Sequence, residues 1–486
     1  MDRRHARALG FVVATRLAAS LVVLRLGFRS VSDDDFARVA IAQAFAQTPK
    51  LDPSATSWLP LPFWVDGAVM RVLGASIEVA RGTAFALGLL SAALVYGAAS
   101  LMSSTRLGAL LGACLACVFV WSARLGVATV PELPTAALTL FALATLTPRA
   151  VERWPLARVA GAVALLLATL SRYEPWFVAA MFAMVCLVDA AHALTLRRRV
   201  VLSATAAMAA LGPALWMAWN SVAHGDALHF IARVVAYKRA IGAGESSAAF
   251  ATLFAYPIAM LREEPELSAC FMAALMALVA LGRGRTLLAY ARPAAAAALL
   301  VVGLSLASLR DGAPTHHPER ALLMVMLFMA VLAGDAMAQC YPRVASTTRS
   351  MRLLLGIVFV ASLGLAARQR LYAPHSTSAD RESQLAIGIE AARRLAPGER
   401  LLLAIEDDGF WATVAGFGRA GDLVRDRDWD PRHAAELSSF DRASTLRARL
   451  RETNARAFVA PVNERLQGAF GAPSVERGGQ GLWLVP

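Results

Sequence analysis

The chain has 486 residues, 57% of them hydrophobic, with a mean hydropathy of +0.53 and a formal net charge of +13. Soluble globular domains are roughly 45–50% apolar, so this excess points to many membrane spans. The positive charge does not imply nucleic acid, because the arginines fall in short gaps between apolar runs and form no continuous basic stripe or aromatic platform.

In chain order, Arg3-Arg4-His5-Ala6-Arg7 precedes an apolar run in the manner of a signal peptide. Arg16 and Arg25 interrupt that run and no clean cleavage motif follows, so it reads as an uncleaved first helix. A helix needs about 20 apolar residues to cross the hydrocarbon, fewer where its ends snorkel or enter protein-lined water. By that measure spans are expected at 8–27, 80–101, 107–123, 133–148, 156–171, 175–192, 200–219, 267–282, 287–309, 320–339 and 353–367. Lysine is nearly absent (Lys50 and Lys238) while Ala and Arg abound, which suggests a GC-rich bacterial genome. Cys114 and Cys117 have C-x-x-C spacing inside an apolar run with no second pair. They read as buried thiols, as do Cys186, Cys270 and Cys340.

Positive-inside arithmetic places Arg3/Arg4/Arg7, Arg149/Arg153/Arg158, Arg197–Arg199, Arg283/Arg285 and Arg343/Arg349/Arg352 in the cytoplasm. The opposite face then receives Asp33-Asp34-Asp35, Glu132, Arg172-Tyr173-Glu174, residues 220–266 and His316-His317-Pro318-Glu319-Arg320. Two segments on that face are long. Residues 28–79 hold Trp58-Leu59-Pro60-Leu61-Pro62-Phe63-Trp64, whose prolines and tryptophans suit a broken interfacial helix. Residues 220–266 hold an amphipathic stretch near Phe250–Leu261, expected not to span. From about 368 the composition becomes that of a soluble α/β domain. Helices are expected at Glu382–Leu395 and Ser444–Thr453, and strands at Leu401–Ile405, Ala457–Pro461 and Leu482–Pro486; an odd span count makes the domain extracytoplasmic. The expected fold is therefore a mainly α polytopic bundle over 1–367 with a small α/β domain over 368–486.

Three adjacent acids are costly to keep ionised together and cannot lie deep in lipid. Asp33–Asp35 open an amphipathic helix, where Ser32 or Asp33 could cap and the macrodipole favours negative charge; a carboxylate there could also act as a general base. Glu132, after Pro131, reads equally as an N-terminal helix charge or as a site residue. Arg172-Tyr173-Glu174 interrupts two apolar runs, as an interfacial belt with an ion pair would or as cavity-facing residues would. His316 with Glu319 makes a poor metal pair, whereas Arg320 with a histidine suits an anion such as phosphate. Carboxylates and arginines on one face fit attack by a hydroxyl on a sugar linked to a polyprenyl phosphate.

The order of these features resembles the multi-spanning GT-C glycosyltransferases that use dolichyl- or polyprenyl-phosphate sugars. It is carried by Asp34-Asp35 followed by Ile41-Ala42, Trp58–Trp64, Arg124–Glu132, Ser171–Trp176, and His316–Arg320, the last similar to the His-x-x-Glu-Arg element of mannosyltransferases. The resemblance covers residues 1–367. It implies a catalytic aspartate in the first outer loop, which maps to Asp34 and second to Asp35, with Arg172 and Arg320 contacting the lipid phosphate. Asp33, Glu132, Tyr173, Glu174, His316, His317 and Glu319 complete the expected substrate-binding set. The acceptor would be a glycan, lipid or protein. A divalent cation (Mg or Mn) beside Asp33–Asp35 is a secondary expectation, since no complete ligand set is present. The competing readings are a transporter or lipid flippase, which would place ionisable residues near mid-membrane, and a non-catalytic membrane subunit.

Overall fold

The computed structural model describes residues 3–55, 57–240, 249–309, 317–346, 380–428 and 436–485, with isolated positions between 348 and 361 and at 430 and 432. The expected span at 353–367 and His316 lie outside the described residues, apart from isolated positions within the former. The chain is a mainly helical multi-span membrane bundle followed by a mixed β-sheet region.

The bundle begins with α1 (Arg3–Arg25), the loop helices α2 (Asp33–Gln47) and α3 (Leu61–Leu73), and the long α4 (Ile77–Met102). There follow α5 (Arg106–Val118), α6 (Val120–Leu125), α7 (Glu132–Ala144), α8 (Pro148–Arg153), α9 (Ala157–Thr169) and α10 (Pro175–Ala191). The rest comprises α11 (Leu196–His224), α12 (His229–Ala240), α13 (Ala249–Glu263), α14 (Pro265–Ala280), α15 (Ala291–Ser308), the single turn α16 (Pro318–Ala321) and α17 (Leu323–Ser346). Side chains set several starts: Ser76 accepts from Val79 N at 3.3 Å and Thr105 from Gly108 N at 3.0 Å, each satisfying an orphan N–H.

Ten expected spans meet helices, but several are shorter than hydropathy suggests. Among the described residues five stretches are long and apolar enough to cross a membrane alone, while α5, α7, α9, α10 and α14 are shorter. A 13-residue helix such as α7 rises about 20 Å, against about 30 Å of hydrocarbon. The expected 107–123 helix is broken at Phe119. Arg16, 1% exposed, donates to the carbonyls of Cys117 at 3.3 Å and Ser122 at 2.7 Å, and to Ser122 Oγ at 3.1 Å. It thereby satisfies the Cys117 carbonyl beside the interruption and adds a second donor to Ser122 O, which also accepts from Gly126 N. A Cβ on Gly126 would lie 1.1 Å from Arg16 Nη2, so this approach requires glycine.

Helix α17 runs through the centre of the bundle, with 94% of its Leu323–Pro342 window buried. It meets α5 through small residues, the usual device where no hydrophobic force operates between helices in lipid. A Cβ on Gly334 would come 2.1 Å from Gly112 N. Gly334→Ala is therefore expected to cost about 1–3 kcal/mol by overpacking, read as a lowered thermal midpoint in detergent. Gly82→Ala, whose Cβ would meet nothing within 4 Å, should leave the midpoint unchanged.

The C-terminal region forms a five-stranded sheet in the order β2-β1-β3-β5-β4. Here β1 (Arg400–Leu403), β2 (Leu423–Arg425) and β3 (Ala455–Pro461) are parallel, and β4 (Val475–Arg477) and β5 (Gln480–Leu484) complete the sheet antiparallel. Its helices are α18 (Glu382–Arg394), α19 (Phe410–Phe417), α20 (Ala443–Thr453) and α21 (Glu464–Phe470). Helices α18 and α19 share a core with the first long loop: Phe36, Val39, Ala42 and Met70 pack with Leu385, Ala412 and Ala415. Gln43 Nε2 also donates to Ala415 O at 2.8 Å. The sheet region thus sits on the side of the bundle that carries α2.

Candidate active site

Asp33, Asp34 and Asp35 occupy the first turn of α2, where successive side chains diverge by about 100°. Each carboxylate therefore finds a different partner. Asp33 is held bidentately by Arg381, with Nε at 2.8 Å and Nη2 at 3.0 Å, and Arg381 also reaches Asp407 at 3.0 Å. Asp35, 2% exposed, accepts from the backbone N–H groups of Val31 (3.0 Å), Ser32 (3.2 Å) and Thr129 (3.1 Å), and from Thr129 Oγ1 at 3.3 Å. It ties the start of α2 to the loop before α7. Asp34 is 42% exposed and accepts a single contact, from Arg320 Nη1 to Oδ2 at 3.0 Å. Among the described residues nothing bonds its Oδ1.

Behind Asp34 lies a buried ion network. Glu132, fully buried at the start of α7, accepts through Oε1 from Arg320 Nε at 2.8 Å, from Arg320 Nη2 and from Arg172 Nη1. Arg172 also forks onto Glu174, its Nε lying 3.0 Å from Oε2. Arg320 Nη1 reaches Ser32 Oγ at 3.3 Å. Segments far apart in sequence are brought together here because each lies at a helix start on one side of the bundle. The network borders a small, partly open pocket whose lining includes Glu132, Thr135, Arg172, Glu174 and Arg320 with Leu300 and Met324. Glu132 Oε2 and Thr135 Oγ1 are buried without a hydrogen-bond partner among the described residues.

Other expected site residues are engaged differently. The Tyr173 hydroxyl donates to Ser57 O at 2.6 Å and accepts from Trp216 Nε1 at 3.1 Å, and the ring stacks on Phe230 at 4.8 Å. Tyr173 thus pins the Trp58 loop within an aromatic cluster. His317 Nδ1 lies 3.1 Å from Glu319 Oε1, and Glu319 is 2% exposed. The triple acid does not fit a divalent cation, since its carboxylates diverge; among the described residues no group of three His, Cys, Asp or Glu side chains could hold a metal ion.

Two charged residues here escape a sequence reading. Arg38, one helical turn beyond Asp34, is 6% exposed and lies 4.5 Å over the Trp58 ring and 5.8 Å from that of Phe63. Its closest electrostatic neighbours include Glu132 and Asp34, and its Nε and Nη1 are buried without hydrogen-bond partners among the described residues. Asp66 on α3 faces Arg38. Burial pushes its carboxyl up to about 7, although Arg38 opposes the shift.

Burial likewise raises Asp35 to about 6, outweighing Arg320 and its backbone donors. A carboxyl raised in the folded state binds protons more tightly there. The stability it contributes is complete below pH 4 and is lost as pH rises through about 6. At about 1.4 kcal/mol per pH unit, stability should fall by roughly 2–3 kcal/mol across that window. Thermal melts between pH 4 and 8 check this, and Asp66→Asn should remove the upper part of the slope.

No family model matches the sequence, and no curated protein matches it. Solved structures do. ArnT from Cupriavidus metallidurans in the apo state matches over 98% of each chain with a TM-score of 0.57 and 17% identity. The chain shares that protein's fold. The same Cupriavidus protein bound to undecaprenyl phosphate matches over 97% of each chain with a TM-score of 0.60 and 16% identity. In both, the likeness covers almost the whole chain, so the GT-C resemblance read over residues 1–367 extends into the sheet region. The carboxylate–arginine network of this chain gathers at helix starts on the side where the sheet packs.

Proposed function

We propose that the protein is an integral-membrane glycosyltransferase that moves a sugar from a polyprenyl-phosphate carrier to an acceptor hydroxyl at the extracytoplasmic face. The observation that carries this reading is Asp34: a half-exposed carboxylate with a free oxygen, oriented by Arg320 beside a pocket lined by Arg172, Arg320, Glu132 and Glu174. The undecaprenyl phosphate bound by the Cupriavidus protein supports a lipid-phosphate carrier here.

In this reading Asp34 takes the proton of the acceptor hydroxyl as its oxygen attacks the anomeric carbon. The bond from that carbon to the phosphate oxygen breaks on the opposite side, so the configuration inverts. The carrier departs as polyprenyl phosphate, which needs cationic donors rather than a strong acid. Glu132 holds Arg172 and Arg320 in place, and the C-terminal domain (368–486) braces α2 through Arg381. The N-terminus is cytoplasmic and the C-terminal domain extracytoplasmic, in a bacterial inner membrane.

The test is transfer of radiolabelled sugar from a panel of polyprenyl-phosphate donors by the purified protein. Transfer with inversion is the expected result. No transfer from any donor, together with substrate-dependent movement of lipid across vesicles, would replace the enzyme with a flippase.

A further inference from the structure

The hydrogen-bond capacity around the ion network is uneven. Every nitrogen of Arg172 and of Arg320 already bonds a protein acceptor. Arg38 stands apart: more than nine-tenths buried, stacked on Trp58, with Nε and Nη1 unused. Burying a guanidinium with idle N–H groups is costly unless an acceptor arrives. Trp58 stacking fixes the guanidinium plane but supplies no oxygen. Asp66 makes no ion pair with it within 4 Å among the described residues, although the two attract.

The complementary deficit lies across the network, where Glu132 Oε2 lacks a donor and Thr135 Oγ1 lacks any partner among the described residues. A ligand that meets both deficits carries anionic oxygens for Arg38 and hydroxyls for Glu132 and Thr135. That is the chemistry of a phosphorylated sugar.

We infer that Arg38 is the principal phosphate-gripping residue of this site, and that Arg172 and Arg320 chiefly shape the carboxylates around it. The inference rests on the transferase reading for the identity of the ligand. It reassigns the role that the family resemblance gave to Arg172 and Arg320. Arg38 presents its planar donors to phosphate oxygens, whereas lysine there would offer only a point charge.

The experiment measures binding of polyprenyl phosphate, uncharged polyprenol and inorganic phosphate to the purified full chain and to Arg38→Gln and Arg38→Lys, by ligand-induced shifts in melting temperature. The wild type should bind polyprenyl phosphate and not polyprenol. Arg38→Gln should weaken that binding at least about tenfold, the scale of one charge-assisted contact, and Arg38→Lys should fall between. Competition by inorganic phosphate in the wild type alone would assign recognition to the phosphate rather than the lipid. The ligand-free melting temperature of Arg38→Gln should hold or rise, because an idle buried charge is removed; a purely structural arginine would lower it. Equal binding of polyprenyl phosphate by wild type and Arg38→Gln overturns the assignment while leaving sugar transfer intact. Arg38-dependent phosphate binding without transfer from any donor would instead keep the phosphate site and discard the transferase reading.

Discussion

Asp34→Asn is expected to abolish sugar transfer while leaving the fold unchanged. The side chain is 42% exposed and makes one contact, from Arg320 at 3.0 Å, which an amide oxygen can still accept. What the amide cannot do is take a proton from an attacking hydroxyl, a function worth about 10²–10⁴-fold in rate. The expected signature is a fall of that size in kcat, an unshifted melting temperature and retained binding of the lipid phosphate. Asp34→Glu should recover part of the rate. A mutant within threefold of wild type would remove Asp34 from the chemistry. Asp33, in bidentate contact with Arg381, and Asp35, with both oxygens taken by backbone donors, differ in kind. Asp35→Asn should lower stability before it affects rate, because an amide cannot accept on both sides.

The second large effect concerns Glu132. Its side chain is fully buried and its Oε1 receives two guanidinium groups, those of Arg320 (4% exposed) and Arg172 (15% exposed). Removing one partner of a buried ion pair leaves charge uncompensated in a low-dielectric setting, typically a loss of 3–5 kcal/mol. Glu132→Ala removes the shared acceptor and leaves Arg172 only Glu174 and Arg320 only the half-exposed Asp34, so the loss should fall within about that range, measured by thermal melts in detergent. The double substitution Glu132→Ala with Arg320→Met should be less damaging than additivity requires, since the second change removes the guanidinium whose remaining carboxylate partner, Asp34, is half-exposed. A Glu132→Ala protein within about 0.5 kcal/mol of wild type would show that water reaches the network and screens it.

Much of the fold can be read from the sequence because apolar runs and arginine gaps repeat down the chain. The described helices follow the expected spans, and in the C-terminal region Glu382–Arg394, Arg400–Leu403 and Ala455–Pro461 lie close to their expected positions. The departures have tertiary causes. The break at Phe119 depends on Arg16, about a hundred residues away and legible only as a polar interruption. Helix α19 is short and apolar, and takes its meaning from packing on α2.

The candidate site is half legible. Asp34, Glu132, Arg172, Glu174 and Arg320 stand out as ionisable residues at the ends of apolar runs, and the structure brings them into contact. Their pairing is invisible in one dimension, because α2 sends three consecutive acids in three directions. Tyr173 shows the converse, since a conspicuous neighbour of two site residues turns its hydroxyl toward Ser57. Arg38 goes unnoticed because a lone arginine on an amphipathic helix usually marks a solvated face, and only its burial over Trp58 sets it apart.

The seam between α2 and the sheet region also constrains biogenesis. Arg381 and its partner Asp33 are separated by 348 positions, so during synthesis the apolar back of α2 emerges long before the helices that cover it. Until that later segment has been delivered to the same side of the bilayer, Phe36, Val39 and Ala42 have no Leu385, Ala412 or Ala415 to rest against. The loop made first is completed last. A nascent chain stalled before α18 is therefore expected to be inserted yet open to protease around residues 33–47, and that sensitivity should vanish once translation has passed α19.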